Sequence, residues 1–158
     1  RAVFDLNKFN EEKFIDSISE YFAIGSDKSS SSFSIHTQNK GELKLTPTQQ
    51  TIKLVESVVK NEFLSKIPVV ILEEIILKKI TKMNSQDISH RKNLKYFQDK
   101  SICSKELKNN NWNYAITVPP LSVDEIFKVT KSGAIFPQKS TYFYPKAPTG
   151  LVMRSMEK

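Results

Sequence analysis

The chain has 158 residues and a formal net charge of +7, from 24 basic and 17 acidic side chains. Ten Phe, five Tyr and one Trp, with many Ile, Leu and Val, are enough for a core, which excludes wholesale disorder even at an apolar fraction of 39%. A single cysteine excludes a disulfide framework and every Cys-based zinc cage, and two distant histidines leave little for a metal site, so none is expected. The length predicts one domain spanning 1–158. The longest apolar run, Ile67 to Leu77, is interrupted by Pro68, Glu73 and Glu74 and falls short of the ~20 residues a membrane span needs. No signal peptide is visible before Lys8. The start at Arg1 without an initiator Met predicts a piece of a longer chain, and the lone Cys103 predicts a reducing, cytoplasmic setting.

Phe9, Phe14, Ile15 and Ile18 recur at helical spacing, with Asn10 as the N-cap and Glu11 and Glu12 suited to the positive helix start. Tyr21 to Ile24 reads as a short strand ended by Gly25, and Ser26 to Ser32 as a serine-rich loop. Phe33 to Thr37 and Leu43 to Thr46 alternate around Asn39, Lys40 and Gly41, which predicts a β-hairpin with His36 on its polar, solvent-facing phase. Pro47 suits a first helical turn with Thr46 as N-cap, and the stripe Ile52, Val55, Val59, Phe63 carries that helix to about Leu64. Pro68 opens a second helix, apolar on most sides at its start and therefore predicted to be buried. The adjacent Glu73 and Glu74 point ~100° apart on an α-helix, so they make a poor paired-carboxylate site, and Lys78 supports Glu74 at i+4.

Ser85 to Ile88 reads as one helical turn, and Leu94 to Phe97 as a short strand. Asp99 caps a predicted helix from Lys100 to about Lys108, with Ile102, Cys103 and Leu107 inward. No base stands near Cys103 in the sequence, so it reads as a small buried hydrophobe rather than a reactive thiol. Trp112 to Val118 alternates as a strand and ends at Pro119–Pro120. Ser122 and Glu125 form a capping box, Val123, Ile126, Phe127 and Thr130 face one way, and Gly133 stands at the C-terminal end. Two further strands are predicted near Thr141–Tyr144 and Gly150–Met153. About six helices and seven or eight short strands without a βαβ repeat predict the α+β class, with a mixed, mainly antiparallel sheet.

Charge is uneven along the chain. Residues 78–108 carry nine basic and three acidic groups, as Lys78, Lys79, Lys82, Arg91, Lys92, Lys95, Lys100, Lys105 and Lys108. Such a block can face nucleic acid. The chain holds 21 Lys and only 3 Arg, however, and Arg is the usual residue for bidentate phosphate and base contacts. A solvated face is the better reading of this block.

The densest chemistry lies at the C-terminal end. Residues 135–152 combine three prolines with Phe136, Tyr142, Phe143, Tyr144, hydroxyls and two lysines. In a strand, Ser140, Tyr142 and Tyr144 share one face, and Lys139, Thr141 and Phe143 the other, with Phe143 expected in the core. The run Pro137 to Lys146, followed by Gly150 to Val152, resembles the C-terminal signature of the family known as domain of unknown function 1015, and the capped helix before it fits. Members of that family look like proteins of the ParB/sulfiredoxin superfamily, which includes nucleotide-binding and free-serine-kinase members. The resemblance therefore implies small-molecule phosphoryl transfer, with a kinase-like phosphotransferase as the full-length protein. Lys139, Ser140, Thr141, Tyr142, Tyr144 and Lys146 would then line a cleft for a small phosphorylated ligand. The family's histidine-containing N-terminal motif is absent, so the chain is expected to be inactive alone and to pair with a missing N-terminal domain. Two alternatives stand beside this reading: a nucleic-acid-binding module using the 78–108 block, and a non-catalytic interaction domain docking on that missing part.

Overall fold

The computed structural model describes residues 2–4, 11–25, 32–37, 39–97, 99–109, 112–137 and 140. Six strands form one sheet: β1 (Ala2–Phe4), β2 (Phe22–Gly25), β3 (Phe33–Thr37), β4 (Gly41–Pro47), β5 (Leu94–Tyr96) and β6 (Tyr114–Thr117). Their order is β2-β4-β3-β6-β1-β5, and every ladder among them is antiparallel. The fold is α+β, as the intermixed elements predict. The expected hairpin is β3–β4, with Ile35 opposite Leu43 and His36 opposite Glu42. Gly41 adopts φ +71°, the left-handed turn position that an L side chain would strain. β1, too short to be visible as a pattern, inserts between β6 and β5.

Alternation assigns the two sheet faces. Phe22, Phe33, Ile35, Leu45, Tyr114, Ile116 and Leu94 are buried on one of them. Against this face pack α1 (Glu11–Ser19), α2 (Gln49–Val59) and a segment that starts as α4 (Pro68–Ile71). Phe14 meets the Tyr114 ring at 4.3 Å between centroids. At the start of α1, the Glu11 carboxylate accepts hydrogen bonds from Thr37 Oγ1, Asn39 Nδ2 and the Lys40 N–H. Burial pushes its pKa up, but these donors outweigh it and hold Glu11 below the usual carboxylate range.

The helix predicted to run from Pro47 to Leu64 is two elements. Pro47 ends β4, and Thr48 rather than Thr46 caps α2, accepting from the Thr51 N–H at 3.2 Å. Lys60 takes φ +54° and ends α2; Asn61 then caps a separate turn, α3 (Glu62–Ser65). From Leu72 the α4 segment continues to Ile80 as a π-helix, buried at Leu72, Ile75, Ile76, Leu77 and Ile80. Its last turn closes with the Thr81 N–H on the Ile76 carbonyl at 3.0 Å, five residues back.

Beyond it lie α5 (Ser85–Ser89), α6 (Lys100–Lys108) and α7 (Val123–Lys131). Asp99 caps α6 as expected, through the Ser101 N–H. α6 covers the opposite sheet face, where Cys103 and Leu107 pack with Ala115, Phe97 and Trp112. Ile102 does not turn inward with them; it is half exposed, because its inward-facing neighbours Cys103 and Leu107 set the buried side of this short helix. The Ser122–Glu125 capping box is formed in both directions. Val129 is the fully buried residue of α7, while Val123 and Phe127 are 62% and 57% exposed. Among the described residues, no helix is long and apolar enough to cross a membrane.

Candidate functional site

Of the six residues expected to line a phosphate cleft, Lys139, Thr141, Tyr142, Tyr144 and Lys146 lie outside the described residues, as do Phe143 and the two strands predicted there. Ser140 is described, and its hydroxyl is turned back on its own chain, donating to the Pro137 carbonyl at 2.5 Å.

The basic block does not form one stripe. Lys78 and Lys79 sit on the π-helix against one sheet face, whereas Lys105 sits on α6 against the other. Within the block, Lys78 bridges Glu73 at 2.9 Å and Glu74 at 2.6 Å, Lys95 pairs with Glu106 and Lys92 with Asp87. Lys79 lies over the Tyr21 ring. Lys82, Arg91 and Lys105 have no acidic partner among the described residues.

Glu73 and Glu74 converge on one ammonium because the helix is π-wound: in i→i+5 geometry position 78 lies beside 73 as well as 74. The expected separation of the two carboxylates belongs to an α-helix. Burial pulls the Lys78 pKa down, but the two carboxylates outweigh it and hold the ammonium above its usual range. Burial raises the Tyr96 phenol beside this group; the Glu73 charge adds to the rise and Arg91 offsets part of it. The two carboxylates share one ammonium as an ion-pair cluster on the helix surface.

His36 is half-buried rather than free in solvent. Its Nε2 lies 3.5 Å from Glu42 Oε1 and 3.4 Å from Ser34 Oγ, and Ser34 donates a short hydrogen bond to Glu42. Lys44 reaches the same Glu42 oxygen at 3.1 Å. A serine–histidine–acid relay needs hydroxyl and acid on opposite ring nitrogens. Here both converge on Nε2, and Ser34 is 2% exposed. The cluster is a cross-strand polar network. Among the described residues, no group of three His, Cys, Asp or Glu could hold a metal ion.

What remains is a surface cleft of about 710 Å³ where the β3–β4 end meets the starts of α2, α4 and α7. Phe33, Ile52, Ile71 and Leu121 provide apolar surface, and Pro47, Pro68, Pro119 and Pro120 form much of the wall. Lys66, Lys128, Asp124 and Glu125 bring mixed charge. Lys66 is held by Glu62 at 2.7 Å, and Glu125 by the capping box. At the start of α7 in this cleft, the Ser122 and Glu125 side chains are therefore engaged in the helix's own cap. Proline has no N–H, so these walls present apolar surface with few backbone donors. Sequence patterning marks these prolines only as element boundaries; that three such boundaries meet at one place is a tertiary fact.

The exposed apolar side chains Val123 and Phe127 belong to α7, whose first turn borders the cleft, and Phe63 of the adjoining α3 is also exposed. Asn61 Nδ2 donates to Ser132 Oγ at 2.9 Å and ties the start of α3 to the end of α7. Comparison with protein-family models, with curated proteins and with solved structures finds no match.

Proposed function

We propose that this chain is a non-catalytic interaction domain that binds an extended, largely apolar peptide segment along the proline-walled cleft and the outer face of α7. The observation that carries the reading is the exposure of Val123 and Phe127, each more than half open, beside that cleft. Exposed aromatic anchors next to a groove with mixed rim charge are the usual make-up of peptide-binding surfaces. The segment bound would belong to another part of a longer protein or to a separate one.

The test is selection of a random peptide display library on the folded domain, followed by titration of the enriched peptides. Enriched peptides should carry apolar anchors, and Phe127→Asp should weaken their binding at least about tenfold, the scale of a central anchor. Failure to enrich any saturable binder, or equal binding by Phe127→Asp, overturns the reading. The phosphate-cleft reading rests on the resemblance of residues 137–146. It requires Lys139→Ala and Lys146→Ala to abolish ligand binding in the longer protein while leaving its stability within ~1 kcal/mol, the most an exposed lysine pair contributes.

A further inference from the structure

Val123, Phe127 and Lys131 follow one another at steps of four along α7, and all three are exposed. Residues four apart on an α-helix form a ridge; each step advances ~6 Å along the axis and turns ~40° around it. The outer side of α7 therefore presents a row of two apolar groups and one cation at ~6 Å intervals. In an extended chain, alternate side chains share a face and lie ~6.6 Å apart. Three successive same-face side chains of an extended segment thus meet the three members of the row in register.

The charge around the row changes sign along it. Asp124 stands next to Val123, and Glu125 is engaged in the capping box. At the other end, Lys128 and Lys131 occupy the last turn of α7. The Asn61–Ser132 hydrogen bond, 2.9 Å long, joins the residue after Lys60 to the residue after Lys131, so Lys60 belongs to the same end. Lys60, Lys128 and Lys131 make no salt bridge among the described residues, whereas the nearby Glu62 is taken by Lys66. Three lysines are therefore open to an anion beyond Phe127, with one acid, Asp124, at the Val123 end.

Resting on the peptide-binding reading above, we infer that the bound segment belongs to one chemical class: apolar side chains at two alternate positions and a carboxylate, Asp or Glu, at the next alternate position. The apolar pair lies over Val123 and Phe127, and the carboxylate meets Lys131, with Lys60 and Lys128 adding to the attraction. A carboxylate at the Val123 end would stand beside Asp124, and like charge disfavours it. The intervening side chains point away from α7 and carry no preference. The segment reads apolar–x–apolar–x–acid in one chain direction and acid–x–apolar–x–apolar in the other.

A display library tests this. Two alternate positions are fixed as hydrophobic, the next alternate position and the intervening ones are randomised, and both chain directions are built. Selection runs in parallel on the native domain and on Lys131→Glu, each verified as folded by circular dichroism. On the native domain, Asp and Glu should be enriched about two- to fivefold at the alternate position alone, the scale of an exposed ion pair. On Lys131→Glu the same position should turn to Lys and Arg. A selected peptide with Glu there should bind about two- to fivefold more tightly than its Gln counterpart in fluorescence anisotropy, and the gap should close at about 0.5 M salt. No acid preference at that position overturns the inference. So does equal acid enrichment at the intervening positions, which would report only the net charge of +7, or a preference unmoved by Lys131→Glu. If the enriched peptides still lose binding to Phe127→Asp in those cases, the peptide-binding reading stands without this motif. If nothing enriches in either direction, that reading falls together with it.

Discussion

The π-helix Leu72–Ile80 and α7 are both nine residues long and both amphipathic, yet they spend their apolar surface in opposite ways. The π-helix buries five aliphatic side chains among the sheet and the α1 and α2 helices. α7 buries Val129 and leaves Val123 and Phe127 open. A stripe of apolar residues states that a face is sticky; it does not state what covers it. In the π-helix the covering element is the chain's own sheet. In α7 much of that face meets nothing among the described residues that hides it, and this is the surface assigned above to a partner.

The largest consequence falls on the π-helix. Ile76 is 0% exposed, and Ile76→Ala should cost ~2–5 kcal/mol, the cost of deleting a fully buried aliphatic and leaving a cavity. Urea denaturation measures it, and a loss below ~0.5 kcal/mol would place this helix at the surface instead.

On α7 the largest single loss outside the core should come from the cap. Ser122 Oγ accepts the Glu125 N–H at 3.2 Å, and Ser122→Ala should cost ~1 kcal/mol by the same measurement. An unchanged midpoint would show that α7 is held by Val129 alone.

The two carboxylates beside Lys78 distinguish π from α winding. In an α-helix only Glu74→Gln would weaken the pair; in the π-helix Glu73→Gln and Glu74→Gln should each cost a similar ~0.2–1 kcal/mol. The Lys78 pKa lies above its usual value of 10.5 in the folded state. Its contribution is therefore fully present below pH 10.5 and lost as pH rises through the folded value. A pH series of melts should show that alkaline loss in the native chain and a shallower one in the double Gln variant.

The smallest stability effect is expected on the outer face of α7. Phe127→Ala should change stability by no more than ~0.5 kcal/mol, since the ring already lies in water. A loss of several kcal/mol would mean that the ring is covered in the folded protein, and would remove the basis for the peptide-binding surface.

Much of the local structure was legible because it depends on neighbouring atoms alone. Asp99 and Ser122 cap helices where their side chains reach free N–H groups two or three residues on. Gly41 sits where the hairpin turn needs positive φ, and Cys103 is buried as a small hydrophobe would be. Lys60 was not legible as a helix end, because a left-handed lysine carries no compositional signal. Nor was the place of β1, a three-residue strand whose pairing partners lie some ninety and more than a hundred residues away.

The amino-acid sequence by itself determined the Asp99 and Ser122 caps, the β3–β4 hairpin and the α+β class, since each follows from hydrogen bonding and side-chain sterics within a few residues. Only the tertiary structure decided which stripe is core and which is surface. It alone drew the basic block onto two sides of the sheet, wound Leu72–Ile80 so that Glu73 joins Glu74 at Lys78, and gathered four prolines from three distant places around one cleft. These depend on which elements meet. Contacts of that kind are selected by the packing free energy of the whole core and not by any local preference.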